Sequence, residues 1–236
     1  MSELTRIGLI GGMSWQSTAS YYRLLNESVQ QRVGGHASAP LTIWSVDFAE
    51  IEALQRAGDW AGQGEILAAA ARALQDAGSQ AIALSTNTLH LVADQITAAI
   101  DVPFVDMIDV VGKAASHRGL RRVGILATEY TMGSDLYQAR LAALGIDVLV
   151  PDAADRATVH RVIYDELVHG VTTGESRAAY LGVIDRLVVR GAEAVLLACT
   201  EIGLLLHDGD ASVALLDTSV LHCAALSDVI VSRGAP

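Results

Sequence analysis

Cysteine is scarce in this chain of 236 residues: Cys199 and Cys223 are the only two. That is too few for a disulfide framework and suits a reducing compartment. Charge is sparse as well, with Asp, Glu, Lys and Arg at 18%, which excludes a disordered or coiled-coil chain. Basic residues are the scarcer sign, 16 against 27 acidic, for a formal net charge of −11. Phosphate backbones and anionic lipid surfaces are repelled, so neither nucleic acid nor membrane is an expected partner. No apolar run reaches the roughly 20 residues of a membrane span; residues 194–206 are interrupted by Thr200 and Glu201. The opening residues, Met1 to Arg6, lack the basic-then-apolar order of a secretion signal. A soluble, cytoplasmic protein is expected. What abounds is hydrophobic side chain, 51% of residues, ample for a core in one large or two compact domains.

Short apolar runs alternate with longer Ala-rich amphipathic stretches. Strands are expected at residues 7–10, 41–46, 81–84, 103–105, 123–126, 147–150, 194–198 and 213–216. Helices are expected at 17–33, 62–77, from 88 to 100, and at 135–144, 157–168, 176–190 and 219–231. Strands separated by helices point to parallel sheets covered on both faces. The fold class is α/β.

A repeat runs through this order. Gly78, Ala81 and Leu84 recur as Gly191, Ala194 and Leu197 at an offset of 191 − 78 = 113. Gly8 in the first strand corresponds to Gly124 at 124 − 8 = 116. Two similar Rossmann-like lobes follow, residues 1–115 with 215–236 and residues 116–214, joined near residues 112–120. They are expected to be related by a pseudo-twofold axis, with the active site in the cleft between them.

Ligands of parallel sheets bind beyond the strands' carboxyl ends, where loops and helix N-termini present free N–H groups. Small polar residues gather there: Met13 and Ser14, Thr86 to Thr88, Thr128 with Thr131, and Cys199 to Glu201. Under the pseudo-symmetry Thr86 and Cys199 face one another, each at the mouth of a helix whose positive end lowers a thiol pKa and attracts carboxylates. Two opposed proton-transfer groups can remove a proton from one face of a carbon and return one to the other.

Ile7-Gly8-Leu9-Ile10-Gly11-Gly12-Met13-Ser14-Trp15, Ser85-Thr86-Asn87-Thr88-Leu89-His90 and Ala198-Cys199-Thr200-Glu201-Ile202 resemble the cofactor-independent aspartate/glutamate racemases. The resemblance covers essentially the whole chain, including the Asp217-Thr218 turn. It implies interconversion of L- and D-amino acids without pyridoxal phosphate or other cofactor, an acidic amino acid as the small-molecule substrate, and a homodimer. The family's usual acid/base pair is two cysteines. Here the second is Cys199 and the first position holds Thr86, as in the branch specific for L-aspartate and L-glutamate. A threonine hydroxyl is a far weaker acid than a thiol, so Cys199 is the better base and unequal rates in the two directions are expected, the faster starting from the L-substrate. Met13, Ser14, Asn87, Thr88, Thr128, Thr131 and Thr200 are the candidate substrate contacts, with backbone N–H groups around Asn87 and Thr200 stabilising the carbanion's carboxylate. The family's side-chain cations, an Arg after the second strand and a Lys in the second lobe, have no counterpart at residues 46–48 or 166–169. Gln55, Arg156 and Arg161 are the substitutes at hand.

Each residue also has a plainer reading. Thr86 can cap a helix, Cys199 can be an inert buried thiol, and Glu201 can orient the Cys199 loop or open a helix. Cys223 and Trp44 read as core, Trp15 as lining the cleft, and His90 and His222 as structural or as supports behind the site residues. No metal spacing links the histidines. A dinucleotide oxidoreductase fits poorly, because the order of Gly8, Gly11 and Gly12 is wrong and Asp47 lies too far on. A single-cysteine decarboxylase of malonate-type acids and a catalytically silent binding protein remain open.

Overall fold

The computed structural model describes residues 4–232. In chain order the elements are β1 (Ile7–Gly11), α1 (Trp15–Val33), β2 (Leu41–Ser45), α2 (Phe48–Ala57), α3 (Trp60–Asp76), β3 (Ala81–Leu84), α4 (Ala93–Thr97), β4 (Phe104–Val105) and α5 (Met107–His117). Then follow β5 (Arg122–Leu126), α6 (Glu129–Met132), α7 (Leu136–Ala142), β6 (Asp147–Leu149), α8 (Ala153–Asp165), α9 (Gly174–Val189), β7 (Ala194–Leu197), β8 (Ala214–Asp217) and α10 (Thr218–Ser232). Among the described residues no helix is long and apolar enough to cross a membrane.

The chain forms two compact units. Among the described residues, one holds those up to Met107 and those from His222 onward; the other runs from Ile108 to Leu221. Each contains a parallel four-stranded sheet, ordered β2-β1-β3-β4 in the first and β6-β5-β7-β8 in the second. The fold is α/β with two similar lobes. The divisions, 107/108 and 221/222, differ from those drawn on the sequence for local reasons. Leu215 and Leu216 pair with Val195 and Leu196, which makes β8 the edge of the second sheet. Asp109 on α5 takes a 2.6 Å ion pair from Arg140 on α7, which ties α5 to that sheet's helices.

The repeat is visible in the packing. Gly8 lies beside Ile82 and Gly124 beside Val195. At each, a helix leucine comes down onto the bare strand: a Cβ on Gly8 would lie 3.0 Å from Leu74 Cβ, and one on Gly124 3.4 Å from Leu187 Cβ. Four residues beyond each leucine, Gly78 (φ 86°) and Gly191 (φ 95°) end α3 and α9 in the left-handed conformation that glycine adopts without strain. Buried Ile10, Ile51, Leu67, Leu74, Ile82, Leu84, Leu89 and Ile96 form the first unit's core around α3. Fully burying each such aliphatic side chain contributes about 1.5–3 kcal/mol.

Several expectations are corrected. Residues 48–57 form α2, a stretch for which the sequence pattern predicts no element. Instead of one helix from 88 to 100 there is a 3-10 turn at Thr88–Val92 followed by the short α4. The supposed joint at 112–120 is largely helix α5, in which Gly112 admits Leu144: a Cβ there would lie 2.7 Å from Leu144 Cδ1. Trp44 is not core but 46% exposed, because β2 is an edge strand with its second half open to solvent. Trp15 is also exposed. Cys223 is buried, as read.

Candidate active site

Strands β3 and β7 end in the same way. After β3, the Ser85 N–H donates to Ile10 O at 2.9 Å; after β7, the Ala198 N–H donates to Leu126 O at 2.8 Å. The next residues, Thr86 and Cys199, are half-buried where the sheet stops. Their equivalence is therefore a matter of backbone pairing as well as of the offset of 113.

In the first unit, Thr18 reaches back to fix the loop after β1. Its Oγ1 accepts the Gly12 N–H at 2.8 Å and donates to Ser14 O at 3.0 Å, while Ser14 Oγ caps α1 by accepting from Ser17 N. Met13 and Ser14 are consequently buried. Asn87 and Thr88 are buried beside Thr86, and Gln55 is buried in the last turn of α2. The Thr86 hydroxyl makes no hydrogen bond among the described residues, so the helix-capping reading does not apply to it. Its backbone is held instead: His90 Nδ1–H donates to Thr86 O at 2.8 Å and His90 Nε2 accepts from Met107 N at 3.1 Å. His222 has the opposite tautomer. Its Nε2–H donates to Val105 O and its Nδ1 accepts from Tyr21 OH, both at 2.9 Å. Burial first, then nearby His90, pushes His222 down to about 3, so it is neutral.

In the second unit, Thr128 caps α6, accepting from Thr131 N at 3.4 Å, and Thr131 is fully buried. The Glu129 N–H donates to His160 Nδ1 at 3.2 Å, and Arg156 lies 3.6 Å from Glu129 Oε1. Arg161 pairs with Glu166, which accepts from Ser176 Oγ. Cys199 Sγ donates to Glu201 Oε2 at 3.1 Å, and the same oxygen accepts from Thr200 Oγ1 at 2.7 Å. Glu201 is buried. Burial, followed by the Glu201 charge and the bond to it, pushes the Cys199 thiol well above its ordinary value. This overturns the expected lowering by a helix end: the element after Cys199 is a three-residue 3-10 turn at Ile202–Leu204, too short for a useful dipole. Asp217, raised by its own burial, caps α10 by accepting from Ser219 N at 2.8 Å and Val220 N at 3.1 Å.

The first unit thus gathers Met13, Ser14, Thr86, Asn87 and Thr88 at its strand ends, with Gln55 about two helical turns beyond Asp47, which caps α2. The second gathers Thr128, Thr131, Cys199 and Thr200. Sequence reasoning missed Tyr180, whose phenol donates to Val159 O at 2.8 Å and whose titration is raised by burial and then by Cys199. A tyrosine on a helix's buried face carries no signal that separates it from core.

The profile of the family described as Asp/Glu/Hydantoin racemase matches residues 10–226. This chain belongs to that family. A crystal structure of a candidate Asp/Glu racemase from Yersinia pestis is 42% identical, with a TM-score of 0.90, over 97% of this chain and 100% of that one. An aspartate racemase homologue from Pyrococcus horikoshii OT3 is 33% identical, with a TM-score of 0.85, over 96% and 99%. The broad specificity amino-acid racemase of Bacillus subtilis (strain 168) is 26% identical over 156 residues, 66% of each protein. Both loops that carry Thr86 and Cys199 fall within the residues matched to the racemase family.

Proposed function

We propose that this racemase-family chain interconverts the enantiomers of an acidic amino acid, aspartate or glutamate, without a cofactor. Cys199 exchanges the α-proton on one face and Thr86 serves the other. The observation that carries this reading is the matched ending of β3 and β7, which leaves one uncommitted hydroxyl and one thiol at equivalent, partly open positions. Names of relatives, among them an aspartate racemase homologue and a broad specificity amino-acid racemase, support it.

The chemistry follows from the two groups. Loss of the α-proton places charge on the substrate's carboxylate, where backbone N–H groups around Asn87, Thr88 and Thr200 act as preorganised donors. Thr128, Met13 and Ser14 hold the remainder of the substrate, and Arg156, Arg161 or Gln55 offsets its side-chain carboxylate. A hydroxyl as weakly acidic as that of Thr86 delivers a proton, directly or through water, rather than resting as an alkoxide. The two directions therefore run at different rates, the faster beginning at the face that Cys199 serves, taken from the resemblance as that of the L-substrate.

Incubation of L-glutamate and L-aspartate in deuterated solvent tests this. Optical signal should decay without loss of substrate, deuterium should enter the α-position, and Cys199→Ala should abolish both. Undiminished exchange in Cys199→Ala would falsify the assignment. A protonated Cys199 also suits a decarboxylase that only delivers a proton, and release of carbon dioxide from a malonate would identify that activity instead.

A further inference from the structure

The thiol that the racemase reading needs as a base is the one the fold keeps protonated. Only the thiolate takes up a proton, so base action at Cys199 needs somewhere for the thiol's own hydrogen to go. We propose that Glu201 is the positioning residue that holds this proton. Its carboxylate keeps Cys199 protonated in the empty site, accepts that proton when Cys199 acts as a base, and restores it when Cys199 acts as an acid. The inference rests on the reading of Cys199 as the residue that exchanges the α-proton.

The geometry singles out Glu201. Its Oε2 is 3.1 Å from Sγ, within hydrogen-bond reach of the proton to be moved. The same oxygen accepts from Thr200 Oγ1 at 2.7 Å, which fixes it on the sulfur's side of the turn. The turn itself is closed by Ile202 N to Cys199 O and Leu204 N to Glu201 O, each 3.0 Å. Two other titratable groups act on the sulfur, and neither is placed to take the proton. Tyr180, from α9, already donates its hydrogen to Val159 O. Asp217, at the end of β8, accepts two N–H groups with Oδ1 and turns Oδ2 against Gly203, where a Cβ would lie 2.6 Å away. These two bear on Cys199 through space, whereas Glu201 touches it.

The steps balance. In the base direction the S–H bond breaks as an O–H bond forms on Glu201, and the thiolate then takes the α-proton, so that S–H re-forms and the C–H electron pair stays on the substrate. Once the carbanion is reprotonated from the Thr86 side, that side takes up a proton from solvent and Glu201 releases its own, so that every group is restored. In the acid direction the α-proton leaves to solvent on the Thr86 side, Cys199 gives its proton to the carbanion, and a proton taken from solvent by Glu201 recharges the sulfur.

The test follows alkylation of Cys199 by iodoacetamide across pH in the full chain, read by mass spectrometry on the Cys199 peptide so that Cys223 does not contribute. It is set beside deuterium exchange of the α-proton. In the unaltered protein the alkylation midpoint should lie above the value of about 8.5 for an ordinary cysteine. Glu201→Gln removes the charge, so the midpoint should fall by about one unit, making alkylation at pH 8 about tenfold faster, while exchange at the Cys199 face falls by at least tenfold. Glu201→Asp should keep the midpoint high and restore part of the exchange. A midpoint at or below 8.5 in the unaltered protein overturns the proposal without recourse to any variant. An unshifted midpoint in Glu201→Gln overturns it too, as does exchange that rises in step with the thiolate. Exchange that survives in Cys199→Ala overturns the catalytic reading beneath it, which is a separate failure.

Discussion

Thr86 and Cys199 occupy the same backbone position in two sheets but stand in different chemical surroundings. The thiol is bonded to a buried carboxylate and lifted in pKa, whereas the hydroxyl is bound to nothing in the first unit. A hydroxyl without an internal partner can be removed at little structural cost. Thr86→Val should therefore change unfolding free energy by no more than about 0.5 kcal/mol, measured by urea denaturation. Racemisation should fall to background while deuterium exchange from the Cys199 face persists. A large loss of stability would mean that Thr86 is structural. At this scale the sequence showed the candidates but not their environments. Thr128, Asn87 and Cys199 were legible as strand-end residues. The pKa direction at Cys199 was not, because it depends on whether Glu201 folds back onto the sulfur and on how short the following turn is.

The internal repeat has a mechanical basis at the level of elements: a bare strand position, a helix leucine resting on it, and a glycine that ends the helix, present in both units. A Cβ on Gly8 would come within 2.7 Å of Ile82 Cδ1 and 2.8 Å of Ser79 Oγ, whereas one on Gly124 meets nothing nearer than Leu187 Cδ1 at 3.0 Å. Overpacking of this kind costs about 1–3 kcal/mol. Gly8→Ala should fall toward the upper end and Gly124→Ala toward the lower, as read from thermal unfolding; equal losses would contradict the packing account. Elements with strong periodicity, such as α1, α3, α9 and the all-buried β1, β3 and β7, were legible because burial and pattern coincide. The α2 helix was not, since only Ile51 and Gln55 along it are buried, which leaves its apolar stripe too thin to read. Trp44 misled for the converse reason: a bulky aromatic in a strand suggests core, but no residue pattern marks β2 as an edge.

For the molecule as a whole, the buried neutral histidine is the clearest link between pH and stability. In the unfolded chain the His222 imidazole takes up a proton near 6.5; folded, it resists until about 3. Lowering the pH below about 6.5 therefore favours unfolding progressively, and the penalty stops growing only near 3. His222→Gln should flatten that dependence in denaturation curves taken between pH 7 and 4. It should also destabilise the protein at pH 7 by about 1–3 kcal/mol, because Tyr21 OH and Val105 O lose a matched partner. His222 also stands at the first unit's second stretch of chain, which is fastened there by the Thr5 N–H to Ile230 O at 2.9 Å and by the ion pair of Arg32 with Asp228. One unit is thus contiguous in sequence and the other is assembled from two separated stretches. A chain emerging residue by residue from the ribosome has every part of the contiguous unit before the earlier-made sheet receives its closing helix. Co-translational folding, which ordinarily favours the N-terminal domain, here has reason to finish in the reverse order.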